Sequence, residues 1–172
     1  MPEISEFLPK SFLERQGITL PEVLKSLKRA GDEFTIRLEQ SALYIPVAEG
    51  KWSPAQISDH LGSANLFFAK CLDRTINGKA PMTMPKGQIT DDGRALSPAG
   101  EPRADRTRHE LLEDHLGAFE ALERHGKTIE NLGLLETTCV QQSFFGAMTS
   151  LEVLRLCAWH TRHHAAQIQL NS

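Results

Sequence analysis

Apolar residues recur along this chain in four separate runs. Each advances in steps of three and four residues, the spacing that lines up side chains on one face of an α-helix. The first run passes through Leu24, Leu27, Gly31, Phe34, Leu38 and Ala42 and predicts a helix over 19–44, stopped before Pro46. Thr19-Leu20-Pro21-Glu22 opens it as a capping box, in which hydroxyl and carboxylate each satisfy a free backbone N–H. The second run follows Ser53-Pro54-Ala55-Gln56 and uses Ile57, Leu61, Ala64, Phe68, Cys71 and Leu72. There Pro54 takes the first-turn position, where its missing N–H costs nothing. Thr107-Arg108-His109-Glu110 starts the third, with Leu111, Leu112, Leu116, Phe119, Leu122 and Ile129. Thr149-Ser150-Leu151-Glu152 starts the fourth, a stretch running from Leu151 to Leu170.

The intervening segments lack this period. Residues 1–18 read as an irregular or short helical lead-in, with Ser11-x-x-Glu14 a candidate box. Residues 77–106 carry Pro81, Pro85, Gly87, Gly93, Pro98, Gly100 and Pro102, and predict a surface excursion or a lid. Residues 126–143 are less regular, and Thr137-Thr138-Cys139-Val140 reads as a short strand or an extended link. Four long amphipathic helices predict an all-α protein, a four-helix bundle with a long Pro/Gly-rich connection between its second and third helices. At 172 residues, 1–172 is expected to be a single domain.

Histidine placement changes the picture from fold to chemistry. His160 and His164 are one turn apart in the fourth run, amid Val153, Leu154, Cys157, Ala165 and Ile168, whereas His163 points about 100° away. His60 falls inside the apolar stripe of the second run. Imidazoles on inward faces of different helices can converge on one ion, so His60, His160 and His164 are the candidate metal ligands. Three neutral imidazoles favour zinc, nickel, iron or copper over magnesium or calcium, which want oxygen. Such a site would leave coordination positions open and would act as a Lewis acid on water or a thiol. His115, in the third stripe, is a fourth ligand, a hydrogen-bonding partner or a core histidine; His109 and His125 read as surface. No nucleophile–base arrangement can be assigned, so catalytic residues are unnamed. Thr161 occupies the glutamate position of an H-E-x-x-H motif, against a metalloprotease.

Composition narrows the partners. A net charge of -3 gives no reason to expect nucleic acid or an anionic membrane. No apolar run approaches the roughly 20 residues of a membrane span, and no signal peptide is visible. Cys71, Cys139 and Cys157 are odd in number and widely spaced, which predicts reduced thiols in a cytoplasmic protein.

Three stretches resemble the DinB-like, YfiT-type metal-binding four-helix bundles. They are Trp52-Ser53-Pro54-Ala55-Gln56-Ile57-Ser58-Asp59-His60-Leu61, then Phe145-Gly146-Ala147-Met148-Thr149, then His160-Thr161-Arg162-His163-His164-Ala165-Ala166-Gln167-Ile168. Helix order and spacing match as well, from Thr19 onward; the segment 77–106 departs from the family pattern. The resemblance implies that His60, His160 and His164 form a metal triad. It also implies zinc or nickel, a homodimer, and kinship with transferases that use low-molecular-weight thiols such as bacillithiol and mycothiol, with thiol-dependent maleylpyruvate isomerase in the wider group.

The expected function is therefore metal-dependent transfer of a low-molecular-weight thiol to a small-molecule electrophile. The alternatives are a metal-dependent hydrolase or a non-catalytic, dimeric bundle that binds a metal or small ligand. Leu151, Leu156 and Trp159 form a second apolar set opposite the histidine face, for which the N-terminal segment, the 77–106 loop or a dimer partner is the expected cover. Asp59 and Asn65 flank His60 but point away from it.

Overall fold

The computed structural model describes residues 2–170. Four long helices carry the chain: α1 (Leu20–Glu39), α2 (Pro54–Ile76), α3 (Arg108–Asn131) and α4 (Ser150–Ala165). A 3-10 helix, Ser11–Gln16, precedes them, and three short strands complete the fold: β1 (Met82–Thr83), β2 (Thr138–Gln142) and β3 (Gly146–Thr149). The protein is thus mostly helical with a small sheet of order β1-β2-β3. β1 joins β2 in parallel, and β2 and β3 are antiparallel with Val140 opposite Met148. The extended link expected at Thr137–Val140 is one arm of this hairpin.

All four expected capping boxes form. Ser53, Thr107 and Thr149 accept hydrogen bonds from the backbone N–H three residues on, and Gln56, Glu110 and Glu152 accept in turn from the backbone N–H of those cap residues; Thr19 and Glu22 close the fourth. Local chemistry sets these starts, whereas the ends depend on distant contacts. α1 stops at Glu39 rather than near 44, because Arg108 reaches from α3 and donates to the carbonyls of Leu38 and Ser41. α4 stops at Ala165, although Ile168 beyond it is still buried. Ser11 caps nothing: the 3-10 helix begins after Lys10 and has no side-chain cap. Leu116, assigned above to the buried stripe of the third helix, is 56% exposed, and His125 is half-buried rather than on the surface.

Side-chain contacts give the helix directions. Arg155 donates to the carbonyls of Gly17 and Ile18, Arg162 to Ser26, and Arg37 to the carbonyl of Ile168, so α1 and α4 run in parallel. Asp59 pairs with Arg106 and Gly62 lies against Asp114, so α2 and α3 are parallel too. Asn65 donates to Thr161 while His60 meets His164, so α2 opposes α4. Two parallel consecutive helices need a connection that returns the length of the first, about 34 Å for a 23-residue α2. The Pro/Gly-rich segment supplies that return. It is pinned along its course by β1, by the Gly87 N–H on the Ser143 carbonyl, and by the Arg103 N–H on Asp59. Arg106 anchors its end between Asp59 and Asp114.

The core follows from these faces. One cluster gathers Val23, Leu27, Leu72, Leu122, Val140, Met148 and Leu154; a second, at the end holding the α2 N-terminus, gathers Phe34, Leu38, Ile57, Leu61, Leu111 and Ile168. The outer apolar face of α4 is covered by the N-terminal segment, with the Phe12 ring edge-on to Trp159 at 5.4 Å.

Identical substitutions at two helical glycines should have opposite signs. A Cβ on Gly31 would sit 2.6 Å from the Phe119 ring, which is itself packed on His115. Gly31→Ala is expected to cost about 1–3 kcal/mol in urea unfolding. Gly117 has nothing within 4 Å of a new Cβ. Gly117→Ala should gain about 0.5–1 kcal/mol from helix propensity alone.

Candidate metal centre

α2 delivers His60 two turns past its capped start, and α4 delivers His160 and His164 from its last turns. The Asn65–Thr161 hydrogen bond, 3.4 Å and buried, fixes the two helices in register about one turn away. Thr161, the residue that breaks the H-E-x-x-H pattern, is thus spent on helix packing. The three histidines meet: Nε2 of His160 is 3.3 Å from Nε2 of His60 and 3.0 Å from Nε2 of His164. Their ligand atoms all lie within 4.8 Å of one another, and they could hold a metal ion. His164 is buried and the other two are half-buried.

Counting protons shows why a cation would suit the cluster. Nδ1 of His164 donates to Oε1 of Gln167 at 2.7 Å, so in the neutral ring its Nε2 carries only a lone pair. Nε2 of His160 faces that lone pair and His60 together. A proton on His160 satisfies His164 but leaves His60 without an in-line donor; a proton on His60 leaves the other two nitrogens lone pair to lone pair. A cation satisfies all three. Ligands about 2.05 Å from a tetrahedral zinc would stand about 3.3 Å apart, close to the two spacings that involve His160. The location suits a cation as well, since the C-terminal end of a helix carries partial negative charge.

The rings are held neutral. Burial drives His160 far below the ordinary imidazole range, with His164, His60 and His163 adding to it. Burial, then His60, brings His164 down to about 3 against the pull of Gln167, and burial lowers His60 despite the neighbouring Asp59.

His115 stands apart, on α3 between Phe34 and Phe119, with Nε2 bonded to the Gly31 carbonyl at 3.1 Å. It is a core histidine. Cys157 is buried and its thiol is pushed well up by that burial; Cys71 and Cys139 are pushed up to about 11 and 12. All three are free and inert as nucleophiles at neutral pH. Asp59 points from the cluster toward Arg103 and Arg106.

The residues that sequence reasoning missed surround the triad. Gln167 fixes the His164 tautomer and also reaches Nε2 of His163 at 3.3 Å, while His163 stacks on Trp159. The spacing of Gln167, three residues after a candidate ligand at a helix end, is the available signal. Trp52 lies against the His60 ring at 5.1 Å and donates its indole N–H to Glu101 of the crossover. Nothing in the local sequence announces that contact.

Buried neutral histidines make stability depend on pH. The unfolded imidazoles take up protons near pH 6.5, while His160 and His164 refuse them until far lower pH, so the stabilisation is complete above about 6.5 and is lost as pH falls below it. For metal-free protein the urea midpoint should fall between pH 7 and pH 5, each such histidine contributing at most about 1.4 kcal/mol per pH unit, reached once its unfolded ring is fully protonated. His164→Gln should flatten that slope; a midpoint constant across the window would contradict it.

No helix is long and apolar enough to cross a membrane among the described residues. No curated protein and no solved structure matches the chain. A family model described as DinB superfamily matches residues 23–168, a span that takes in nearly all of α1, the other three helices and every member of the triad. The chain belongs to the DinB superfamily.

Proposed function

We propose that this protein is a metal-dependent enzyme that transfers a low-molecular-weight thiol to a small electrophile, built as a single four-helix-bundle domain. In this reading His60, His160 and His164 hold a divalent transition metal, zinc or nickel. The carrying observation is the mutual approach of three neutral imidazole nitrogens with no carboxylate among them. When bound there, the metal supplies a Lewis acid of undiminished charge that lowers the pKa of a thiol toward neutrality.

The chain's own groups do the positioning. Gln167 keeps the bare Nε2 of His164 turned to the cluster, and Trp52 shields one side of His60 from water. Asp59 is committed to Arg103 and Arg106, and Glu101 to Trp52. A thiol starts far closer to neutrality than water and can give its proton to solvent as it ionises at the site, whereas a hydrolase ordinarily positions a base. The committed carboxylates therefore favour thiol transfer over hydrolysis. Buried free cysteines suit a reducing, cytoplasmic setting. A homodimer would meet through a surface other than the outer face of α4, which the N-terminal segment covers.

Untagged protein is expected to carry a stoichiometric ion, lost in His160→Ala and accompanied by loss of thiol consumption on test electrophiles. Gln167→Leu should retain the fold and weaken metal affinity about 10–100-fold in chelator competition. A wild-type chain that takes up neither zinc nor nickel would overturn the reading.

A further inference from the structure

His60 is the one member of the triad that α2 supplies, and its ring is held differently from that of His164. His160 and His164 share α4, so a single helical turn fixes their spacing, and Gln167 orients the His164 ring through Nδ1. Among the described residues no hydrogen bond reaches Nδ1 of His60; its polar contact is the approach of Nε2 to His160. A metal-binding histidine is ordinarily oriented by a hydrogen bond at its second nitrogen. His60 has a ring contact in that role instead: the Trp52 indole lies against it, with centroids 5.1 Å apart. Trp52 immediately precedes the Ser53 cap, so the start of α2 sets its backbone while its side chain is placed by what touches it.

The crossover supplies that contact. Its residue Glu101 accepts the indole N–H at 3.0 Å. Pro102 comes next and restricts Glu101 to extended backbone, and the Arg103 N–H then donates to Oδ2 of Asp59 at 2.8 Å. The Arg106 guanidinium takes the other oxygen of that carboxylate at 3.3 Å. Asp59 is the residue before His60, so the crossover grips α2 on both sides of this ligand. We propose that residues 101–106 are a strap that fixes the orientation of the His60 ring, with Trp52 as the positioning residue and Glu101 as the acceptor that holds it. Both act through His60 rather than as ligands. The consequence for metal affinity rests on the function proposed above, whereas the orientation of the ring does not. A role for Glu101 through charge alone, drawing a cation toward the triad, has a different signature. Glu101→Gln removes the charge but keeps an amide oxygen that can accept from the indole.

Glu101 is exposed, so replacing it leaves the core untouched. In metal-free, full-length protein the ring C–H signals of His60, identified by their loss in His60→Gln, should carry the ring-current shift of the Trp52 indole. Glu101→Ala is expected to move them and Glu101→Gln to leave them in place. In chelator competition Glu101→Ala should weaken zinc binding about 3–10-fold, with Glu101→Gln within about twofold of wild type. Trp52→Phe keeps a ring but has no N–H; it should show a similar loss, and adding Glu101→Ala to it should cost nothing further. Unmoved His60 signals in Glu101→Ala would overturn the proposal. So would zinc affinity unchanged in Glu101→Ala, or a loss shared equally by Glu101→Gln. A wild-type chain that takes up no zinc, yet shows the His60 signals moving in Glu101→Ala alone, would sink the metal reading and uphold the strap.

Discussion

One imidazole nitrogen, Nε2 of His160, lies in hydrogen-bonding range of two others, and protons cannot satisfy all three; much of this structure is arranged around that constraint. Each ring is kept neutral by burial, and one is locked in a single tautomer by Gln167. A cation held by the three nitrogens would relieve the unmatched lone pairs and, by binding only the folded state, would stabilise it. The helix packing that maintains the cluster is unusually direct. A single buried amide–hydroxyl contact, Asn65 to Thr161, sets the sliding position of α2 against α4 beside the rings. Slippage by one residue would swing His60 by about 100° and dissolve the cluster.

Topology explains the long Pro/Gly-rich segment that looked like a departure. With α2 and α3 side by side and parallel, the chain must travel back along the molecule before α3 can begin. That journey could have been made by a loose loop. Instead it is hydrogen-bonded to the β-hairpin at one end and to Asp59 at the other, and it carries Glu101 to Trp52 beside His60. The crossover is therefore part of the surroundings of the triad as well as a connection. Its anchors fall on α2 and α3, so it also ties those two helices together through Arg106.

Much of the architecture was legible residue by residue. Capping boxes at Thr19, Ser53, Thr107 and Thr149 depend on groups within one helical turn, so a short sequence suffices to read them. Apolar stripes named the inward faces, and three histidines lying on those faces were recognisable as candidates to meet. Helix ends were less legible. The carbonyls that close α1 are taken by Arg108, seventy positions away from Leu38, and no periodicity encodes such a partner. Leu116 shows the same limit from the other side: it sits at a helical spacing, yet no neighbouring element covers it.

His115 and His60 make the division plain, because on sequence they were alike. Each is an imidazole in an apolar helical stripe. The sequence by itself determined that both would turn inward, since that follows from the 3.6-residue turn and the position of neighbouring leucines. Only the tertiary structure decided their roles. α1 presents the Gly31 carbonyl to His115 and makes it a core residue, whereas α4 presents two imidazoles to His60 and makes it part of the candidate metal centre. Inward direction is a property of one helix; what waits there is a property of the pair.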